Sequence, residues 1–365
     1  MSIILFLIIL FVLVLAHEWG HYITAKFFKM PVEEFGFGFP PRAMKLFKRG
    51  ETLFTLNWLP LGGFVKITGE DPLAERDNNP RLFSNQPWYA QAIVLCAGVF
   101  MNFILAWFLI SGSYVVGSPT AYSEIKAENR ANTLPELTII QVLPDSPAEK
   151  QGLMLGDVVT KVCNESGSCP VNANTTRDDL ISFIRATGER PLTFTVTRQK
   201  DTKEITVTPK IETDTAMIGV MVEQVALQKL PIGEALFEGF KATYSISYLI
   251  LKTFVNLITD TLHGTADIKN LTGPIGLVSS VGSAYHVGIG YLISLTALIS
   301  LNLAVINLVP FPALDGGRLL IVIIEAILRK KIAPKFIGAL NTIGFFLLIG
   351  LMLLVSYHDV VRLIK

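Results

Sequence analysis

The sequence predicts a polytopic α-helical membrane protein with about four transmembrane helices, a membrane-associated β element and one inserted α+β domain. Three observations predict this. Hydrophobic residues fill 51% of 365 positions, charged residues only 17%, and mean hydropathy is +0.49; a soluble domain averages about 25% charged. Four apolar stretches, 2–25, 90–116, 288–309 and 336–356, are each close to the ~20 residues that cross a bilayer core as a helix. Between the second and third, residues 137–223 carry the alternation and turn signals of a folded soluble unit. The lipid bilayer is therefore a partner. A net charge of +1, with no basic run interleaved with aromatics, excludes nucleic acid.

The elements follow in order. Residues 2–25 read as a retained span rather than a cleaved leader, since no basic start and no A-x-A site accompany them. Lys26, Lys29, Arg42, Lys45, Lys48 and Arg49 follow at once, which places that flank in the cytoplasm and the N-terminus outside. Residues 32–69, rich in Gly, Phe and Pro, suggest two or more short strands folded back at membrane depth, where such backbone must face protein or a cavity. Residues 71–88 form a polar cytoplasmic loop, and 118–136 a polar linker outside. The 137–223 unit holds a strand, a Ser-Pro-Ala helix start, the amphipathic helix around Leu180, Ile181 and Ile184, and a hairpin turning near Gln199–Lys203. Cys163 and Cys169 flank a polar turn in it and could form a disulfide or stay as thiols. Residues 232–284 suggest interfacial or packing helices, with "LTGPIGLVSSVG" as a Gly- and Pro-broken re-entrant or loop element. The resulting division is 1–117, first half of the membrane core; 137–223, inserted domain; 232–284, membrane-proximal helices; and 285–365, second half of the core.

The chemistry-bearing stretch is His17-Glu18-Trp19-Gly20-His21, at the inner end of the first span. On a helix, residues i and i+4 share a face, so two imidazoles can hold one zinc ion. Glu18 between them is placed as the general base of a metal-dependent peptidase, the HExxH arrangement. At 1.5 Å per residue, His17 lies roughly 13 Å inside the level of Lys26, within the membrane but near its cytoplasmic face. A catalytic zinc takes three protein ligands and keeps one open position. The best third candidate is Asp315 in "NLVPFPALDGGRLL", where Gly316-Gly317 permits close backbone approach; the same Asp could instead cap a helix beginning at Gly316. Asn307 could bond a substrate backbone or pair helices. The 52–67 strand region, with Gly62, Gly63 and Phe64, could hold a substrate in extended form by β-addition. His263 with Asp267, His286 and His358 are weaker ligand candidates.

The segments "HEWGH", "PLGGFVKITGE", "SPAEKQGLMLGD", "LTGPIG" and "NLVPFPALDGG" run over nearly the whole chain. Together they resemble the site-2 proteases, most closely the bacterial regulator-of-sigma-E protease group, and the 137–223 unit resembles one PDZ domain of the permuted bacterial type. The resemblance implies one Zn2+ held by His17, His21 and Asp315, Glu18 as base, and Asn307 at a substrate-binding position. It implies cleavage of transmembrane segments of single-span proteins, such as anti-sigma factors or signal-peptide remnants, after another protease has trimmed them. The expected location is the bacterial cytoplasmic membrane, with the PDZ domain outside and the site near the inner face. Met217, Ile218, Gly219 and Val220 would begin the strand, Met217–Glu223, that forms its groove. Two other classes compete: a membrane-anchored receptor or scaffold, and a metal transporter. Glu18 argues against both, since neither needs a base between two metal ligands.

Overall fold

The computed structural model describes all residues except 72–77, 126–133, 144, 173–174, 199–200, 213–214, 265–272 and 365. Asp267 and parts of the 71–88 loop, the 118–136 linker, the turn at Gln199 and the start of "LTGPIG" lie outside the described residues.

Among the described residues, four helices are long and apolar enough to cross a membrane. They are α1 (Ser2–Phe27), α2 (Trp88–Val116), α7 (Ile289–Leu308) and α9 (Pro334–Ile364, with Pro334–Val361 as its candidate span). Each expected span is present. In α1, Ile9, Leu13, His17, Gly20 and His21 are buried, whereas Ile4, Ile8 and Val12 are exposed. One stripe therefore faces protein, and an apolar outer surface suits lipid. Gly20 is where α1 crosses α2: a Cβ there would overlap the Ala97 carbonyl.

The expected short strands are two long, bent ones, β1 (Val32–Arg49) and β2 (Thr52–Ile67). Phe35 sits opposite both Phe54 and Val65, and Gly36 opposite both Thr55 and Phe64, while Met44 and Phe47 also face 54–56. The two strands thus build a sheet four segments wide, in the order 42–49, 52–57, 34–37, 63–67. Residues 52–57 are interior, and 63–67 form an outer edge with no further strand paired to it among the described residues. Met30, Val32 and Ile67 pack with Ala25 of α1, with Val94 and Leu95 of α2, and with Val322 of α8 (Asp315–Leu328). Burying each such large apolar side chain contributes about 1.5–3 kcal/mol, which anchors the sheet to the helices.

The inserted domain is a six-stranded antiparallel sheet. Its strands are β3 (Ser118–Ala121), β4 (Glu136–Val142), β5 (Val158–Asn164), β6 (Leu192–Arg198), β7 (Asp201–Val207) and β10 (Val220–Gln228), in the order β3-β10-β4-β5-β6-β7. A separate hairpin joins β8 (Lys210–Glu212) to β9 (Thr215–Met217). Two short helices complete it. In α3 (Pro147–Lys150), Ser146 is the N-cap; α4 (Arg177–Thr187) opens with a Thr176–Asp179 capping box. Phe194, Leu137, Ile139, Leu180 and Leu192 are fully or nearly fully buried in its core. Cys163 and Cys169 are joined by a disulfide.

Three expectations are corrected. Ser118–Ala121 is a strand paired with Val225–Gln228, not linker, so the sheet runs past the 137–223 limits. Both chain connections to the membrane core therefore lie side by side. Met217–Glu223 is not one strand: β9 ends at Met217, Gly219 takes φ +79, and β10 starts at Val220. A Cβ on Gly219 would overlap Ser146, and the Ile218 and Gly219 carbonyls accept from Ala148 and Leu143. In keeping with the packing helices expected over 232–262, the stretch is one helix, α5 (Ile232–Leu262), packed along α2 and α7. Last, "LTGPIGLVSSVG" yields helix rather than a broken loop: α6 spans Pro274–Val287, past the 284 limit. Pro274 stands in its first turn, where a missing N–H costs nothing.

Candidate metal centre

The His pair lands where α1 crosses α2. Against the two imidazoles α2 presents Val94, Gly98 and Asn102, one turn apart and all buried. A Cβ on Gly98 would overlap His21 Nε2 and come within 2.8 Å of His17 Nε2. His21 Nδ1 lies 2.8 Å from the Val94 carbonyl, so its N–H donates there and Nε2 turns toward His17. Asn102 sits beside His17 Nδ1 at 3.4 Å.

Asp315 arrives from the other end of the chain as the first residue of α8, with Leu314 at the N-cap and no side-chain capping bond. The capping alternative is thereby set aside. Its approach depends on the Phe311–Gly317 turn. Added Cβ atoms would overlap the Leu308 and Val309 carbonyls at Gly316, and the Phe311 carbonyl at Gly317. Ala313 adopts φ +73, a conformation costing an L-residue about 1–2 kcal/mol, and its N–H donates to Asn341 Oδ1 at 3.4 Å.

Three donor atoms converge. His17 Nε2 and Asp315 Oδ2 are 2.9 Å apart, His21 Nε2 and Asp315 Oδ2 3.3 Å, and the two Nε2 atoms 3.2 Å. A tetrahedral zinc with ligands at about 2.0 Å places donors about 3.3 Å from one another, so this donor set fits zinc. Two nitrogens and a carboxylate oxygen, backed by a wall that a single methyl group would fill, could hold the ion.

The site opens into a cavity of about 420 Å³ lined by His17, Glu18, His21, Gly63, Phe64, Val65, Asn307 and Asp315, among others. Glu18 Cγ is 3.7 Å from where a Gly63 Cβ would stand, so the carboxylate and the outer 63–67 edge share one space. Gly62 packs beside Phe39 and Val14, just off that lining. Met217, Ile218, Gly219 and Val220 belong to the inserted domain and do not line this cavity. Nor does His263, whose Nδ1 bonds the Thr259 carbonyl, nor His286 beside Tyr285. Glu70, on the same cavity wall, is ion-paired with Arg318 of α8.

Sequence reasoning left five contributors without a role: Gly20, the Val94 carbonyl, Gly98, Asn102 and the Arg318–Glu70 pair. The available signals were the small residue inside the His motif, for Gly20, and a small and a polar residue inside the second apolar stretch, for Gly98 and Asn102; which groups they meet depends on helix register.

The sequence profile of peptidase family M50 matches residues 5–351. A Clostridium perfringens protein whose name describes it as a zinc metalloprotease is 36% identical over 353 residues, 96% of this chain and 95% of the relative. Zinc metalloprotease RasP of Oceanobacillus iheyensis is 28% identical over 448 aligned positions, covering 99% of both chains. RasP of Geobacillus kaustophilus is 29% identical over 441, with 98% and 97% covered. Both alignments exceed the 365 residues here, so these relatives carry insertions that this chain lacks. A fold with membrane-crossing helices, a donor set shaped for zinc and full-length relatives named for the same chemistry lead to one conclusion: the chain belongs to peptidase family M50, the site-2 proteases, and is a zinc metalloprotease of the RasP type.

Proposed function

We propose that this protein is an intramembrane endopeptidase cutting within the transmembrane segments of single-span membrane proteins, anti-sigma factors or signal-peptide remnants among them, pre-trimmed by another protease. His17, His21 and Asp315 hold the zinc and Glu18 is the general base. The observation carrying this reading is that the three donors, Glu18 and an outer strand edge open into one cavity. Bound zinc supplies Lewis acidity, polarising the scissile carbonyl and lowering the pKa of water. Glu18 accepts a proton from the attacking water and returns it to the leaving nitrogen.

A peptide bond inside a helix is shielded by its own hydrogen bonds, so the substrate must unwind. The 63–67 edge, whose Val65 N–H meets the Glu18 carboxylate, has no strand on its outer side among the described residues and could take up an extended segment by β-addition, with Gly62, Gly63 and Phe64 at its start and Asn307 on the same cavity lining. This narrows the substrate-holding region from 52–67, because 52–57 is flanked on both sides.

The inserted domain reads as a PDZ domain that screens substrates by the bulk of their outer segment. Its groove would lie between α4 and the Val220–Gln224 part of β10, bridged at one end by Arg177 and Glu223 at 3.4 Å. The basic flanks and the Cys163–Cys169 disulfide support an extracytoplasmic insert and a cytoplasmic-side active centre in a bacterial cytoplasmic membrane.

The test is cleavage of single-span proteins by purified wild type and Glu18→Gln in detergent. Wild type should cut within the apolar segment. Glu18→Gln should cut about 10²–10⁴-fold more slowly while retaining zinc and binding the substrate. Unchanged cleavage by the variant would remove Glu18 from this role. A wild type that moves zinc across vesicle membranes and cuts nothing would favour a transporter.

A further inference from the structure

We infer that Asn102 is a positioning residue for His17: its side-chain oxygen accepts the His17 Nδ1–H, fixing the ring so that Nε2 points at the metal position. This rests on the reading of His17 as a zinc ligand.

Asn102 is fully buried in α2, and its Oδ1 has no hydrogen-bond partner, one of two such buried side-chain atoms among the described residues. Its Nδ2 lies 3.4 Å from His17 Nδ1. On the other side of the ring, His17 Nε2 is within 3.2 Å of both Asp315 Oδ2 and His21 Nε2. A neutral imidazole that gives one nitrogen's lone pair to a metal carries its proton on the other. With the amide nitrogen toward Nδ1, two N–H groups would face each other and Oδ1 would stay orphaned. A buried unsatisfied group of this kind costs about 1–3 kcal/mol. Turning the amide by 180° exchanges two atoms of nearly equal size. Nδ1–H then donates to Oδ1, and both defects vanish together.

His21 shows the same device. Its Nδ1 is held by the Val94 carbonyl, two turns earlier on α2. Val94, Gly98 and Asn102 thus form one stripe: a carbonyl for one ring, room for both, and an amide oxygen for the other. Asn102 is itself fixed, since α2 is continuous there and its own carbonyl accepts from Ser300 Oγ of α7 at 2.9 Å. Partners of this kind set ring orientation and tautomer at metal sites, and removing one commonly weakens metal binding about 10–100-fold.

The experiment measures zinc affinity of the full-length protein in detergent by chelator competition, with the visible spectrum of the cobalt-loaded form as a second readout. Asn102→Leu keeps the volume and removes the acceptor; it should bind zinc about 10–100-fold more weakly and change the cobalt bands. Asn102→Asp keeps an acceptor oxygen and should restore affinity to within a few-fold of wild type. Asn102→Ala replaces the Leu variant if that one fails to insert, and melting of the metal-free forms separates lost affinity from lost fold. Wild-type affinity in the Leu or Ala variant would overturn the proposal, as would an Asp variant as weak as they are. His17→Ala is the control for the underlying reading. If it keeps wild-type affinity, His17 is not a ligand, and that failure is distinct from a failure at Asn102 alone.

Discussion

The membrane core and the inserted domain bury their polar groups for different ends. In the insert, burial is mostly apolar, around Phe194, Leu192 and Leu180, and its fully buried carboxylate, Asp157, is closed by Arg198 at 2.7 and 2.8 Å. In the core, the buried His17 and His21 turn their Nε2 atoms, together with Asp315 Oδ2, toward one point rather than into closed pairs. Buried polar groups are costly unless satisfied. The insert removes that cost within itself, while the core leaves it to be removed by a bound ion. The core should therefore depend on metal and the insert should not.

The largest expected effects follow from breaking the core's half of this contrast. Asp315→Ala removes one of three donors and should weaken zinc binding by more than about 100-fold, beyond what loss of an outer partner does. Gly98→Ala is the subtler form. In an exposed helix this change would add about 1 kcal/mol of helix stability. Here the new methyl overlaps the His21 ring nitrogen and crowds His17, so zinc should be lost although helix propensity improves. Metal content after a chelator wash, with a melting curve of the metal-free protein, separates the two. Full zinc in Gly98→Ala would mean that the rings have room to retreat and that the wall is not a constraint.

The next effect falls on the other region. Phe194 is fully buried in β6 among Val159, Val162 and Leu180. Phe194→Ala should destabilise the insert by about 3–5 kcal/mol, seen as protease sensitivity between β4 and β10, with zinc content unchanged. Loss of zinc in that variant would break the comparison. The coupling would then run through the contacts the regions share: Pro119 of β3 against Gly290 of α7, and Gly156 against Val287 at the end of α6.

The contrast also explains what could be read from the sequence. Spans are set by apolar length, and the His pair and Asp315 by short-range spacing and turn residues, all local properties. The sheet of residues 32–67 was legible as strand but not as four segments, because Phe35 meets Phe54 and Val65 only once the chain has doubled back. Asn102 was visible as a polar residue in a span, yet its partner depends on the α1–α2 register that Gly20 and Gly98 permit. Ser118–Ala121 was too short and polar to read as strand; its pairing with β10 stabilises it. "LTGPIG" looked broken because Gly and Pro oppose helix interiors, but Pro274 stands at the α6 start and Gly282 lies against Ser2 of α1.

The smallest expected effect lies within the insert, at its disulfide. Cys163 and Cys169 are six positions apart, and a loop this short gives a chain-entropy contribution of about 2 kcal/mol at most. The turn is already closed without it. Asn164 Oδ1 accepts from the Ser168 N–H and the Ser166 hydroxyl, each at 2.9 Å, and the Asn164 N–H donates to the Ser168 carbonyl at 3.0 Å. Val162 also bridges to Val171 just beyond. These bonds hold the same residues that the disulfide would otherwise have to order, so part of its entropic effect is redundant. A Cys163→Ser/Cys169→Ser double variant should therefore lower insert stability by less than about 2 kcal/mol, leaving zinc content and cleavage at wild-type levels. Urea unfolding of the insert, followed by protease sensitivity, measures it. A loss as large as that of Phe194→Ala would mean that the turn nucleates β5–β6 pairing and that Asn164 alone does not hold it.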